Sequence, residues 1–187
     1  MTATPLNFQV DPNFTRDWWK RCLADPEKLH AWLVKLRSVE VDGFTEHMAF
    51  MRNTSYLMSI REQTILTNIA LDEKRHGLLL EALLFSRGGC PPLPPGSVSV
   101  YWNEVLSEAK TPSAYYAANC FGEGLAAERF EIILDIPETP SDIREVLQAV
   151  LPDEIFHRET LKRLAKPEDL ALYKAKHQAA LQKLVHK

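Results

Sequence analysis

The sequence predicts an all-α fold: a four-helix bundle with a long crossover between its second and third helices, and a further helix at each end. Three observations carry that prediction. Apolar residues recur at helical spacing through four long stretches. Only seven glycines occur in 187 residues, which favours helix over an all-β fold. The motif Asp-Glu-x-x-His occurs twice, at Asp72–His76 and Asp153–His157, once in each half of the chain.

The elements follow in order. Residues 1–14 read as an irregular lead-in, and a short helix over Thr15–Leu23 carries Trp18 and Trp19. Asp25-Pro26 starts the first long helix, with Asp as N-cap and Pro at the first helical position. Leu29, Trp32, Leu33, Leu36, Glu40, Phe44, His47 and Met51 form its stripe, which runs to about Thr54, with a kink open at Gly43. The second helix spans about Ser59 to Phe85, with Ile65, Ile69, Glu73, His76, Leu80 and Leu83 on one face, and Arg87-Gly88-Gly89 stops it. Pro91, Pro92, Pro94 and Pro95 then forbid helix, which makes a stiff connector. It reads as the crossover of a bundle, since neither half alone could bury its Glu–His face. A short helix is expected over Val100–Glu108.

Thr111-Pro112 opens the third helix, apolar nearly all round to about Leu134 and therefore buried. Ser141 is expected to cap the fourth, Asp142 to about Ala165, where Leu147, Val150, Glu154, His157 and Leu161 share a face and Pro152 predicts a bend. A last amphipathic helix runs over about 167–185. From Lys162 onward seven Lys and Arg face two Asp and Glu, so this end is basic. One domain over 1–187 is expected, with the bundle proper at about 26–165.

Composition excludes several classes. A net charge of −3 gives no pull toward nucleic acid or anionic membrane. No apolar run reaches the roughly 18 residues that span a bilayer. Residues 1–10 have neither the basic head nor the apolar core of a secretory signal. Cys22, Cys90 and Cys120 are odd in number, widely spaced and without a Cys-x-x-Cys, so a disulfide scaffold or a cysteine zinc site is not expected. A cytoplasmic protein is the expectation.

The chemistry lies in the doubled motif. Positions three apart share a helix face, so each Glu-x-x-His projects a carboxylate and an imidazole together. Two such pairs, with one inward Glu from each of two other helices, make the ligand set of a di-iron or di-manganese bundle. Chance predicts roughly half a Glu-x-x-His match for this composition. A third match, Glu27–His30, lies off the apolar stripe, where Glu27 favours the helix dipole instead. Glu73, His76, Glu154 and His157 all lie on apolar faces, where a carboxylate is costly unless paired or metal-bound. Glu40 is the first-helix candidate, with Asp42 and Glu46 as its competitors. Glu123 is the third-helix candidate, with Glu128 as competitor. Glu40 to Glu73 is 33 residues and Glu123 to Glu154 is 31, so the halves repeat. His47 reads as a packed core histidine, Tyr115 and Tyr116 as core fillers. Asp72 and Asp153 are candidates to orient the imidazoles.

Taken in that order, Glu40, Glu73-x-x-His76, Glu123 and Glu154-x-x-His157 resemble the ferritin-like di-iron carboxylate superfamily over most of residues 26–165. The segment Gly122–Phe130 is similar to the third helix of tRNA-modifying di-iron hydroxylases. Rubrerythrins resemble the bundle but carry a Cys-x-x-Cys module that this sequence lacks. Bacterioferritins share the ligands, without the Trp-rich N-terminal and basic C-terminal helices. The resemblance implies two metal ions, Fe₂ or Mn/Fe. Glu40, Glu73 and His76 would hold one ion, and Glu123, Glu154 and His157 the other, with Glu73 and Glu154 bridging. It further implies an oxidoreductase that activates O₂ against a small organic substrate beside a wall of Phe44, Phe121 and Phe130, fed by an electron donor. A homodimer is compatible with it. The alternatives are a ferroxidase, iron-storage or peroxide-handling protein, and a non-enzymatic helical binding module.

Overall fold

The computed structural model describes residues 12–92, 105–106 and 108–185. Among them the chain is helical, with no strand: α1 Pro12–Leu23, α2 Pro26–Thr54, a 3₁₀ turn Ser55–Leu57, α3 Ile60–Ser86, α4 Pro112–Leu134, α5 Ser141–Leu164 and α6 Pro167–Val185. The connector beyond Pro92, the lead-in before residue 12 and most of the expected 100–108 helix lie outside the described residues, while residues 12–14, expected to be irregular, form the first turn of α1. No helix among them is long and apolar enough to cross a membrane.

Local chemistry sets the ends. The Asp25 carboxylate accepts from the Glu27 and Lys28 amides, both at 3.2 Å, with Pro26 in the first turn. Ser59 and Glu62 form a reciprocal capping box at the start of α3. Thr111 Oγ1 accepts from the Ala114 amide at 3.3 Å. The chain leaves α3 through Gly88 and Gly89 at φ 108° and 149°, a region that L side chains rarely adopt. Helix α5 differs from expectation. Its N-cap is Pro140, which has no side chain to offer, and Ser141 is the first helical residue. The Asp142 carboxylate accepts instead from the Ile143 amide at 2.9 Å and from Arg87. Helix α2 runs unbroken through Gly43, and α5 through Pro152.

Cross-helix contacts give the directions. Arg37 meets Glu81 and Glu40 meets His76, while Thr67 meets Met51, so α2 and α3 are antiparallel. Arg87 meets Asp142 and His76 meets Asp153, which sets α5 antiparallel to α3. The Arg144 guanidinium donates to Leu134 O at one end of the α4–α5 pair, and Lys166 N donates to Ser113 Oγ at the other. Helix α4 therefore starts at the end of the assembly opposite to the one where α3 stops. Helix α6 packs on α4 and buries Tyr173, His177, Ala180 and Leu181.

The core falls into two apolar clusters. One holds Met51, Leu66, Ile69, Tyr115, Tyr116 and Phe121. The other holds Trp19, Leu33, Leu80, Leu84, Phe130, Ile133, Ile143 and Leu147. Along each of α2 to α5, buried Glu and His residues sit between the two. Helix α1 closes the second cluster: the fully buried Trp19 stacks edge-on against Trp32, 4.8 Å between ring centroids. Its indole N–H donates to Thr139 Oγ1 at 2.8 Å, and that hydroxyl donates on to Ile133 O. Trp19→Phe removes the donor and part of the ring, and is expected to cost about 1–3 kcal/mol, read by urea unfolding.

Candidate metal centre

Four helices each send one or two ionisable side chains into the layer between the apolar clusters. Glu40 comes from α2, Glu73 and His76 from α3, Glu123 from α4, Glu154 and His157 from α5. All are buried, none more than 7% exposed. They fall into two overlapping groups, Glu40–Glu73–His76–Glu154 and Glu73–Glu123–Glu154–His157. Within each group the candidate ligand atoms lie within 4.8 Å of one another. Glu73 and Glu154 belong to both groups.

The distances show what each imidazole faces. His76 Nδ1 is 3.3 Å from Glu40 Oε2 and 3.2 Å from Glu154 Oε1. His157 Nδ1 is 3.3 Å from Glu73 Oε1 and 3.9 Å from Glu123 Oε2. The other ring nitrogens point outward to aspartates, and the pairing is crossed. His76 Nε2 meets Asp153 Oδ2 at 3.1 Å, and His157 Nε2 meets Asp72 Oδ2 at 3.2 Å. Each motif's aspartate thus holds the other motif's histidine. An Nε2–H given to an aspartate leaves Nδ1 free to face the cluster, the arrangement metal-binding histidines use. Arg75 ion-pairs with Asp153 and lies 3.9 Å from Asp72. It has no counterpart in the second motif, where Phe156 stands. Asp153→Ala removes the hydrogen-bond acceptor of His76, and is expected to weaken metal binding about 10- to 100-fold with the fold retained, as read by titration calorimetry.

Electrostatics make the cluster expensive without a cation. Burial, then the neighbouring Glu73 charge, pushes the Glu40 carboxyl up to about 8. Burial, with Glu123, Glu40 and Glu73 nearby, pushes Glu154 well up as well. Glu73 goes the other way: burial opposes its charge, but His157 and His76 outweigh it and hold the carboxyl down at about 2. Against its own burial, His157 is pushed up to about 11 by Glu123 and Glu73. Three buried side-chain atoms among the described residues have no hydrogen bond, namely Glu73 Oε1, Glu154 Oε1 and His157 Nδ1. All three lie in this cluster, Glu73 Oε1 against His157 Nδ1 at 3.3 Å and Glu154 Oε1 against His76 Nδ1 at 3.2 Å, but misaligned for a hydrogen bond. An orphaned buried polar atom costs about 1–3 kcal/mol. Two of the orphans belong to the carboxylates common to both groups, and a divalent cation in each group would satisfy all three. The donor set of carboxylates and imidazoles suits iron or manganese.

Of the competitors, Asp42, Glu46 and Glu128 lie outside both groups. Asp42 and Glu46 instead line a cavity of about 80 Å³ that reaches Glu40, Glu73, Glu123 and Glu154. Its other walls include Leu36, Val39, Ala126, His47 and Asn119. Phe44, Phe121 and Phe130 do not form its wall. Phe44 lies under Lys74 Nζ, Phe121 packs on His177, and Phe130 joins the second apolar cluster. His47 is buried and shares a 2.8 Å hydrogen bond with the Tyr115 hydroxyl, whose ring stacks on Phe50 at 3.7 Å. Burial lowers the His47 pKa. Glu27 and His30 are exposed on the first turns of α2. Cys22 and Cys120 are buried free thiols, and burial pushes Cys120 up to about 12.

The crossing of the aspartates and the place of Asn119 in the cavity wall went unread in the sequence. The doubled Asp-Glu-x-x-His carried the signal for the first, since equal spacing in antiparallel helices brings each Asp opposite the other His. The chain matches no family model, no curated protein and no solved structure.

Proposed function

We propose that the chain is a two-metal carboxylate oxidoreductase of ferritin-like architecture, with Fe₂ or Mn/Fe, that activates O₂ to oxidise a small organic substrate. The observation that carries it is the sharing of Glu73 and Glu154 between two four-residue groups, each with an orphaned oxygen. The bundle reading is supported by antiparallel α2–α3 and α4–α5 pairs and by the opposite ends at which α3 stops and α4 starts. Such a placement is the one expected where a long crossover joins the second and third helices of a bundle.

Glu40 and His76 would hold one cation, Glu123 and His157 the other, with Glu73 and Glu154 between them. Bound iron, or manganese and iron, supplies two reducing equivalents to O₂, and an external electron donor restores them. The chain's part is placement and exclusion. Asp72 and Asp153 fix the imidazoles. The two apolar clusters keep bulk water from the layer between them. The cavity beside the carboxylates admits a molecule of only a few heavy atoms, with His47 and Asn119 in its wall.

A second reading, ferroxidase chemistry or iron handling, is favoured by one feature: Asp42 and Glu46 add negative charge to the cavity wall, which suits a cation. Metal analysis of protein produced with iron and manganese present, followed by O₂ uptake and optical spectra on the reduced protein, tests both. Two metals per chain and O₂ uptake that stops after one turnover without a donor support the oxygenase. Continued oxidation of added Fe²⁺ supports the ferroxidase. A chain that takes up no iron or manganese at neutral pH would leave only the binding-module reading.

A further inference from the structure

We infer that Gly43 is a positioning residue for Glu73, its missing side chain being the space in which that carboxylate sits between the two metal positions. The inference rests on the two-metal reading and adds a determinant on the opposite helix. Gly43 lies in the interior of α2, where glycine is less favourable than alanine. No turn or positive φ explains it, because the helix continues through it for another turn and beyond. The contact explains it. A Cβ built on Gly43 would meet Glu73 Oε2 at 3.1 Å, Glu73 Cγ at 3.4 Å and Glu73 Cδ at 3.6 Å. The three nearest atoms are all of this one side chain. Glu73 Oε1, the other oxygen, is the orphan that faces His157 Nδ1 at 3.3 Å. The carboxylate is thus stretched between the bare α2 backbone and the second imidazole, within reach of both groups.

The repeat sharpens the point. Gly43 follows Glu40 by three residues, and Ala126 follows Glu123 by three. Both line the cavity. The second half of the chain therefore carries a methyl group where the first half carries none, so the architecture itself tolerates alanine there. Only the first half, beside Glu73, is left open. A methyl at Gly43 would push Oε2 away by a few tenths of an ångström. It would tilt the carboxylate off one of its two positions.

The test is Gly43→Ala, titrated with Mn²⁺ and followed by electron paramagnetic resonance, beside thermal melts of the metal-free proteins. The expected result is a first equivalent bound within about threefold of wild type and a second weakened tenfold or more. The signal of the coupled Mn²⁺ pair is lost, while the metal-free variant melts at or above wild type. A variant that binds both equivalents as wild type does overturns this inference alone. A metal-free variant that fails to fold or melts well below wild type also overturns it, because Gly43 would then serve packing. A wild-type chain that takes up no Mn²⁺ overturns the two-metal reading and this inference with it.

Discussion

Glu154→Ala is expected to abolish paired metal binding and, with it, most of the thermal stabilisation that metal confers. Glu154 belongs to both four-residue groups, is 2% exposed, and holds Oε1 3.2 Å from His76 Nδ1 without a hydrogen bond. Its loss removes a ligand from both positions at once, whereas loss of Glu40 or Glu123 would remove one. A cation at a hundred times its dissociation constant stabilises the folded state by about 2.7 kcal/mol. For a chain of this size that corresponds to roughly 5–10 °C in Tm per site. Wild type should take up two equivalents and show that rise; the variant should retain at most one and lose most of it. The metal-free proteins separate a ligand effect from a folding effect. Glu154 is a buried carboxyl whose pKa is pushed up by burial and by neighbouring glutamates, so its removal relieves a cost in the metal-free chain. The metal-free variant is accordingly expected to melt near or above wild type. Full metal content in Glu154→Ala, measured by elemental analysis, would refute the ligand assignment.

The second large effect is on pH. Metal-free protein is expected to be most stable near pH 5 and to weaken steadily as pH rises toward 9 and beyond. Glu40 ionises near 4.5 when unfolded and at about 8 when folded, so the folded chain binds the extra proton across that window. Stability therefore falls as pH rises through it. His157 acts in the same direction, from an unfolded value near 6.5 to about 11 folded: its contribution is complete below 6.5 and is lost as pH approaches 11. Glu73, held down at about 2, works at the acid end, where its contribution is lost as pH falls from 4.5 toward 2. The combined fall above pH 5 is on the order of a few kcal/mol. Bound metal should reverse the trend, because Glu40, Glu154 and both histidines must release protons to become ligands, so affinity rises with pH. Melts in chelator and in Mn²⁺ from pH 5 to 9 check both slopes. A metal-free Tm that rises over that range would contradict the burial of this cluster.

Much of the helical scaffold was legible because its signals are local. Asp25-Pro26 and Thr111-Pro112 are chemical start marks, and Gly88-Gly89 is a stop. The apolar stripes placed Glu73, His76, Glu154 and His157 on inward faces, and they are buried. What failed to read depends on neighbours from other helices. Phe121 lies two residues, about 200°, from Glu123 and so faces α6 across the helix, while Phe44 and Phe130, a turn and two turns from their glutamates, meet Lys74 and the second apolar cluster. Ser141 looked like a cap by residue type, but the chain turns into α5 one residue earlier, at a proline. Gly43 read as a flaw in a helix, since its reason lies in a side chain of α3. Asp42 and Glu46 could not be told from Glu40 by type, but the angle around the helix, legible at about 100° per residue, set Glu40 in the stripe and the other two to one side, and only Glu40 joins the buried groups.

The crossed aspartates carry a last consequence, for how this chain can be taken apart. Neither Asp-Glu-x-x-His motif is complete within its own helical hairpin, since His76 is steadied from α5 and His157 from α3. The α2–α3 hairpin brings three of the six candidate ligands and the α4–α5 hairpin the other three. A slip of one residue between α3 and α5 would unlatch both histidines together, so the register of that helix pair and the competence of the site are a single quantity. The centre belongs to the seam between two hairpins rather than to either. Any history that built the chain by doubling a hairpin would have had its site from the moment two copies met.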